Sequence, residues 1–229
     1  MGILHIQDRK ITGASVAASL IFLAGSIFYY LPLDVPHKVI IPLTTLTIAS
    51  LWLCPWQMAL AFLFSAIGDY FGSCNNFILQ MGSFAVAHIW FITYFLDRYF
   101  KKVEHDKKLT AKAKGYFTMV IFCTIALLAI AYIKIAPAAE PGVIKIGVSV
   151  YACLIGAMML TALLQRSSVF AIGAVLFVFS DFILAWNMFV EPVPYSGYLI
   201  LISYYAAQWL LFIRATPLRI APGMRLLRF

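Results

Sequence analysis

Apolar residues run in long blocks along this chain, broken by short polar or proline-containing segments. Eight blocks are long enough to be read as helices crossing about 30 Å of hydrocarbon. They fall near residues 12–31, 38–54, 56–72, 78–98, 115–135, 143–164, 168–189 and 195–213. Proline marks several of the breaks, at Leu31-Pro32, Cys54-Pro55 and the run Glu191-Pro192-Val193-Pro194. It lacks an N–H and disfavours helix in the residue before it. The pattern predicts an all-α, polytopic membrane bundle of eight transmembrane helices, with residues 1–229 as a single domain.

Composition agrees with that pattern. Of the 229 residues, 63% are hydrophobic and 11% are charged, against about 45–50% and 25% in a soluble domain. The charges are also unevenly spread. With the N-terminus inside, the inner segments hold 14 of the 17 basic residues, in Arg9, Lys10, a loop at 99–114 with its flank Arg98, Arg166, and a tail at 214–229. The outer segments hold Lys38, Lys134 and Lys145. This asymmetry predicts that both termini are cytoplasmic. The net charge of +8 then belongs to loops facing anionic lipid headgroups, and no nucleic-acid partner is expected. The expected location is multi-pass in a cell membrane, the bacterial inner membrane. The first block is long enough to span and reads as a retained helix. Cys54, Cys74, Cys123 and Cys153 lack metal-type spacing and read as free thiols.

Against this apolar background two acids stand out, Asp69 in FLFSAIGDYFG and Asp181 in AVLFVFSDFILAW. A carboxylate at bilayer depth costs about 2.5–3.5 kcal/mol even on the mildest insertion scale, and such residues usually serve function. Each acid lies 13 residues beyond the inner start of its helix, Trp56 or Ser168, which is roughly 20 Å up at 1.5 Å per residue. His88, Tyr204 and Gln208 reach a similar level, with Tyr204 and Gln208 sharing one helix face. Lys38 and Asn187 lie nearer the outer surface. Ser65 and Ser73 flank Asp69 at i−4 and i+4. The expectation is one water-containing pocket where these polar groups meet. Two four-helix units repeated in parallel would place both acids at one depth by construction.

At these residues the chain resembles the YhhN-like lysoplasmalogenase family of eight-helix membrane hydrolases. The resemblance runs from about residue 38 to 213. It rests on Pro42-Leu43-Thr44, Gly68-Asp69, Gly82-Ser83-Phe84 with His88 and Tyr94-Phe95, Gly173-Ala174 with Phe177 and Ser180-Asp181, and Tyr204 with Gln208. It implies hydrolysis of the vinyl-ether bond of lysoplasmalogens to a fatty aldehyde and glycerophospho-ethanolamine or -choline. It also implies that Asp69 and Asp181 are catalytic. The partner is then a lysophospholipid within the bilayer, and no cofactor or metal is expected. Many relatives have a lysine directly before the proline that opens helix two. Here that residue is Ile41, and Lys38 lies four positions before the proline. Some relatives have a tyrosine three residues after the histidine, where this chain has Phe91.

The chemistry fits two buried acids on its own terms. A vinyl ether resists base and hydrolyses in acid, through protonation of the alkenyl carbon to an oxocarbenium-type cation. Water then adds to give a hemiacetal, which collapses to aldehyde and alcohol. One carboxyl must keep its proton and a second must steady the cation and take a proton from water, as in glycosidases. Low dielectric and a like-charge neighbour divide such a pair into acid and base. The apolar neighbours Phe177, Phe179 and Phe182 favour Asp181 as the acid. Ser65 and Ser73 favour Asp69 as the ionised partner. Lys38, His88, Asn187, Tyr204 and Gln208 would bind or orient substrate, with Phe84, Phe91, Phe177 and Leu184 along its tail. Two rival readings are a proton-coupled transporter of a small molecule or lipid and a metal-dependent lipid hydrolase. His88 is the one histidine within a span, too few for the usual zinc ligand set.

Overall fold

The computed structural model describes residues 2–105 and 111–216. In lipid, backbone polar groups must be satisfied within the segment, and the helix does this. The described residues accordingly form eight helices and no strand. They are α1 (Gly2–Tyr30), α2 (Ile41–Leu53), α3 (Trp56–Ser73), α4 (Phe77–His105), α5 (Ala111–Ile130), α6 (Val143–Leu163), α7 (Ser168–Phe189) and α8 (Ser196–Ala215). A 3₁₀ turn, Lys38–Ile40, leads into α2. Helix α5 continues through a π-helical turn, Ala131–Ile135, into Ala136–Ala138.

The apolar blocks located every helix, but several helices outrun their blocks. Helix α1 begins at Gly2 and α4 reaches His105. Hydropathy marks where side chains meet lipid, whereas the backbone ladder continues into polar segments. Six helices, α1 and α4–α8, are long and apolar enough to cross a membrane. Helix α2 has 13 residues, a rise of about 20 Å. Helix α3 has 18 residues but carries Gln57 and Asp69. The two are joined by a corner at Cys54, which is extended (φ −126°, ψ 164°), as a residue before proline prefers. The basic loop 99–114 and tail 214–229 lie partly outside the described residues.

The outer surface is apolar. Trp52 is 77% exposed, Phe122 71% and Val143 70%. Apolar side chains exposed on this scale are suited to lipid. Trp52 and Trp56 lie at the α2–α3 corner, while Tyr30, Tyr195 and Tyr198 cluster at α1 and α8 ends, with Tyr30 stacked on Tyr198 at 5.3 Å. Such rings suit membrane–water interfaces.

Inside, the fully buried rings of Phe62, Phe91, Phe177 and Phe212 meet edge-on. Phe91 lies 5.9 Å from Phe62 and 6.2 Å from Phe177, and Phe62 lies 6.1 Å from Phe212. Each such pair contributes about 0.5–1.5 kcal/mol beyond area burial. This aromatic centre lies where α3, α4, α7 and α8 converge. Helix α3 packs along α4 and α7 along α8; α4 also meets α6, and α8 meets α2. Gly173 lets α8 approach α7, since a Cβ there would lie 3.1 Å from Leu211 Cδ2. Small residues serve this role widely in membrane helix pairs.

Candidate active site

Asp69 lies in the last turns of α3 and is 6% exposed. Its Oδ2 accepts a hydrogen bond from the Tyr204 hydroxyl at 3.2 Å. One turn away on both helices, Gln208 Nε2 donates to Ser65 Oγ at 3.1 Å. Because α3 and α8 each present an i, i+4 pair, the two bonds form successive rungs. The serine stripe on α3 therefore has a partner. Gln208 Oε1 is buried and makes no hydrogen bond.

Asp181, in the C-terminal half of α7, belongs to a second cluster. Its Oδ2 accepts a hydrogen bond from the Tyr151 hydroxyl of α6. His88 of α4 is fully buried; its Nε2 lies 3.0 Å from the Tyr151 oxygen and 3.6 Å from Asp181 Oδ2. His88 Nδ1 is buried without a partner. The Asp181 side chain is 11% exposed, and that exposure faces two apolar cavities. One, whose empty volume of about 440 Å³ includes space open to the surface, runs between α5, α6 and α7 past the π-helical turn at Ala131 and Ile135. The other, of about 420 Å³, runs between α4, α6 and α7 past Gln80 and Phe84. Both are lined by Tyr151 and Asp181.

Two rings stand between the clusters. Phe177 meets the His88 ring at 4.9 Å and the Tyr204 ring at 5.5 Å. Phe84 meets Tyr204 at 5.7 Å and packs on Gly68, where a Cβ would come within 2.9 Å of the ring. Neither cavity that reaches Asp181 is lined by Asp69. The five polar residues expected in one wet pocket make their hydrogen bonds in two groups, and Phe177 packs against a ring of each. The arrangement offers a carboxyl able to meet an apolar substrate, with a phenol and an imidazole behind it, and a second carboxyl closed in nearby. Among the described residues no three His, Cys, Asp or Glu side chains form a metal-binding group.

The sequence profile of the YhhN family matches residues 38–215, a stretch that includes every residue of both clusters. The chain belongs to the YhhN family. Its similar relatives include Lysoplasmalogenase TMEM86B of Mus musculus, 29% identical over 70% of this chain and 63% of the relative. The same-named protein of Rattus norvegicus is 30% identical over 74% of this chain and 64% of the relative. Lysoplasmalogenase TMEM86A of Bos taurus is 30% identical, with 83% of each covered. The matched region spans just under two thirds of the rodent proteins. No solved structure matches the chain. With its six long apolar helices, this YhhN member is a multi-pass membrane protein.

Two more residues picked from the sequence bond to loop backbone. Lys38 Nζ donates to the carbonyls of Leu31 at 2.7 Å and Leu33 at 3.1 Å, and sits 5.8 Å from the Tyr29 ring. It closes the α1–α2 connection. Asn187 Oδ1 accepts from the Val193 N–H at 2.9 Å, which holds the α7–α8 turn. The sequence reading missed Tyr151, because one tyrosine in an apolar helix is ordinary. Its position was informative: it lies eight residues into α6, and Asp181 lies eight residues before the end of α7. Adjacent antiparallel helices put such positions level.

Proposed function

We propose that this YhhN protein is a membrane lysoplasmalogenase. It would hydrolyse the vinyl-ether bond of lysoplasmalogens to a fatty aldehyde and glycerophospho-ethanolamine or -choline. The observation that carries this reading is Asp181: a carboxyl at membrane depth, opening onto apolar cavities and bonded to Tyr151. The names of its relatives support the reaction class.

In this reading the substrate stays in the bilayer with its chain in the cavities, and both termini face the cytoplasm. Asp181 protonates the alkenyl carbon, since it is the carboxyl that an apolar chain can reach. A positioned general acid contributes about 10²–10⁴-fold. The vinyl-ether oxygen shares the resulting positive charge, and carboxylates steady it in a medium that screens little. Water adds, a proton returns to the carboxylate, and the hemiacetal collapses. Asp69, held by Tyr204, supplies negative charge behind the Phe84–Phe177 partition.

The test is incubation of the purified protein with vinyl-ether and ester lysolipids, followed by mass spectrometry. Fatty aldehyde released from the vinyl ether alone supports the reading. Intact lipid throughout, with proton-dependent flux in sealed vesicles, would favour a transporter.

A further inference from the structure

Tyr151 bridges two other titratable groups, and its hydroxyl has one proton to give. With Asp181 ionised, His88 Nε2–H donates to the Tyr151 oxygen and Tyr151 donates to Asp181. With Asp181 protonated, the order reverses: Asp181 donates to Tyr151, and Tyr151 donates to a bare His88 Nε2. Both arrangements use the same contacts, with His88 Nε2 at 3.0 Å from the tyrosine oxygen and the Tyr151–Asp181 hydrogen bond. The direct His88–Asp181 separation of 3.6 Å is beyond hydrogen-bond range. A proton moving between histidine and aspartate therefore has the phenol as its carrier.

We propose that Tyr151 is a positioning residue that relays a proton between His88 and Asp181. The step conserves protons. In the ion-paired state His88 holds protons on both nitrogens and Asp181 holds none. Transfer moves the Nε2 proton to the Tyr151 oxygen as the Tyr151 proton passes to Asp181 Oδ2. The result is neutral His88 carrying its Nδ1 proton, intact Tyr151 and Asp181 as a carboxylic acid. Two further features fit this role. Nδ1 of His88 is buried without a hydrogen-bond partner, so Nε2 is the nitrogen through which the imidazole bonds. Phe177 and Tyr151 hold its ring at 4.9 and 5.3 Å, which keeps Nε2 aimed at the phenol. The Tyr151 hydroxyl also lies at the wall shared by both cavities, beside the position where a chain would meet Asp181.

The use of this relay rests on the hydrolase reading above; its existence rests on geometry alone. Infrared spectroscopy of the protein in detergent near neutral pH tests the relay without turnover. Asp181→Asn should remove one carboxylic-acid carbonyl band. Tyr151→Phe should move that band to higher frequency, as the acid loses its acceptor. Kinetically, Tyr151→Phe should lower kcat tenfold or more and leave KM within twofold, and His88→Asn should do the same. If Tyr151→Phe does not fold, 3-fluorotyrosine at 151 should still move the band, since it alters the phenol at constant shape. The relay is overturned if Asp181→Asn removes no acid band, if the band ignores changes at Tyr151, or if kcat survives in an active protein. A wild-type protein that releases no aldehyde from any lysolipid defeats the hydrolase reading instead, and the band shift still decides the relay.

Discussion

The Tyr204 hydroxyl on α8 donates to Asp69 on α3, joining residues 135 apart in sequence at 3.2 Å inside the bundle. It is the counterpart of the Tyr151–Asp181 bond. Each buried acid is thus held by a phenol from another helix. The acids differ in what else they meet: Asp181 lines two cavities that Asp69 does not reach. Replacing Tyr204 with Phe leaves the Asp69 carboxyl buried without this partner. The expected cost is about 1–3 kcal/mol, read as a lower midpoint of thermal unfolding in detergent. An unchanged midpoint would remove the bond from the stability account.

Asp181→Asn keeps the size of the side chain and removes the acid. Aldehyde release should fall by at least about 10²-fold, with the protein still monodisperse in detergent. Asp69→Asn should also abolish release. Robust turnover by either variant removes that residue from the mechanism.

Gly68 is the point where α3 tolerates the Phe84 ring. In Gly68→Ala the new Cβ would sit 2.9 Å from that ring, so Phe84 must shift against Tyr204. Overpacking of this kind costs about 1–3 kcal/mol. The double variant Gly68→Ala, Phe84→Leu should recover part of the loss, since contacting sites are not additive. Strict additivity in unfolding experiments would show that the two do not press on each other.

Lys38 was expected to bind or orient substrate. Its bonds to the Leu31 and Leu33 carbonyls predict a different outcome. Lys38→Met should destabilise the α1–α2 connection and leave KM for lysolipids within about twofold, well under the 1.4 kcal/mol that a tenfold change represents. A tenfold rise in KM at unchanged stability would return the amine to the headgroup.

Much of the architecture was legible because hydrocarbon imposes a simple rule. A long apolar block must form a helix, and a proline past its first turn tends to end it. The blocks therefore found all eight helices, and Cys54-Pro55 and Leu31-Pro32 marked corners. The ends of α1 and α4 were less legible, since a helix outlasts the apolar stretch that signals it. The short α2 shows the other side of that rule: its residues are apolar enough, but the helix holds only 13 of them before the Cys54-Pro55 corner.

The site was half legible for a related reason. Asp69 and Asp181 announce themselves by cost, and i, i+4 spacing put Tyr204 and Gln208 on one face. Which partner each acid takes depends on how helices rotate against one another, and hydropathy does not encode that. His88 could have served either acid; packing against Phe177 and Tyr151 gave it to Asp181. Lys38 and Asn187 both bond to nearby backbone groups, which side-chain spacing does not foretell.

The chain by itself determined that helices would fill a membrane and that two acids would be carried into them at matching distances from the helix starts, because backbone desolvation makes each apolar block a helix and each acid lies within a block. Only the assembled bundle decided that the acids would be parted by Phe84 and Phe177, that Tyr151 would join His88 to Asp181, and that one carboxyl would open onto cavities while the other stayed enclosed. Those outcomes depend on the shapes of rings meeting at helix crossings, and shape complementarity exists only once the helices are together.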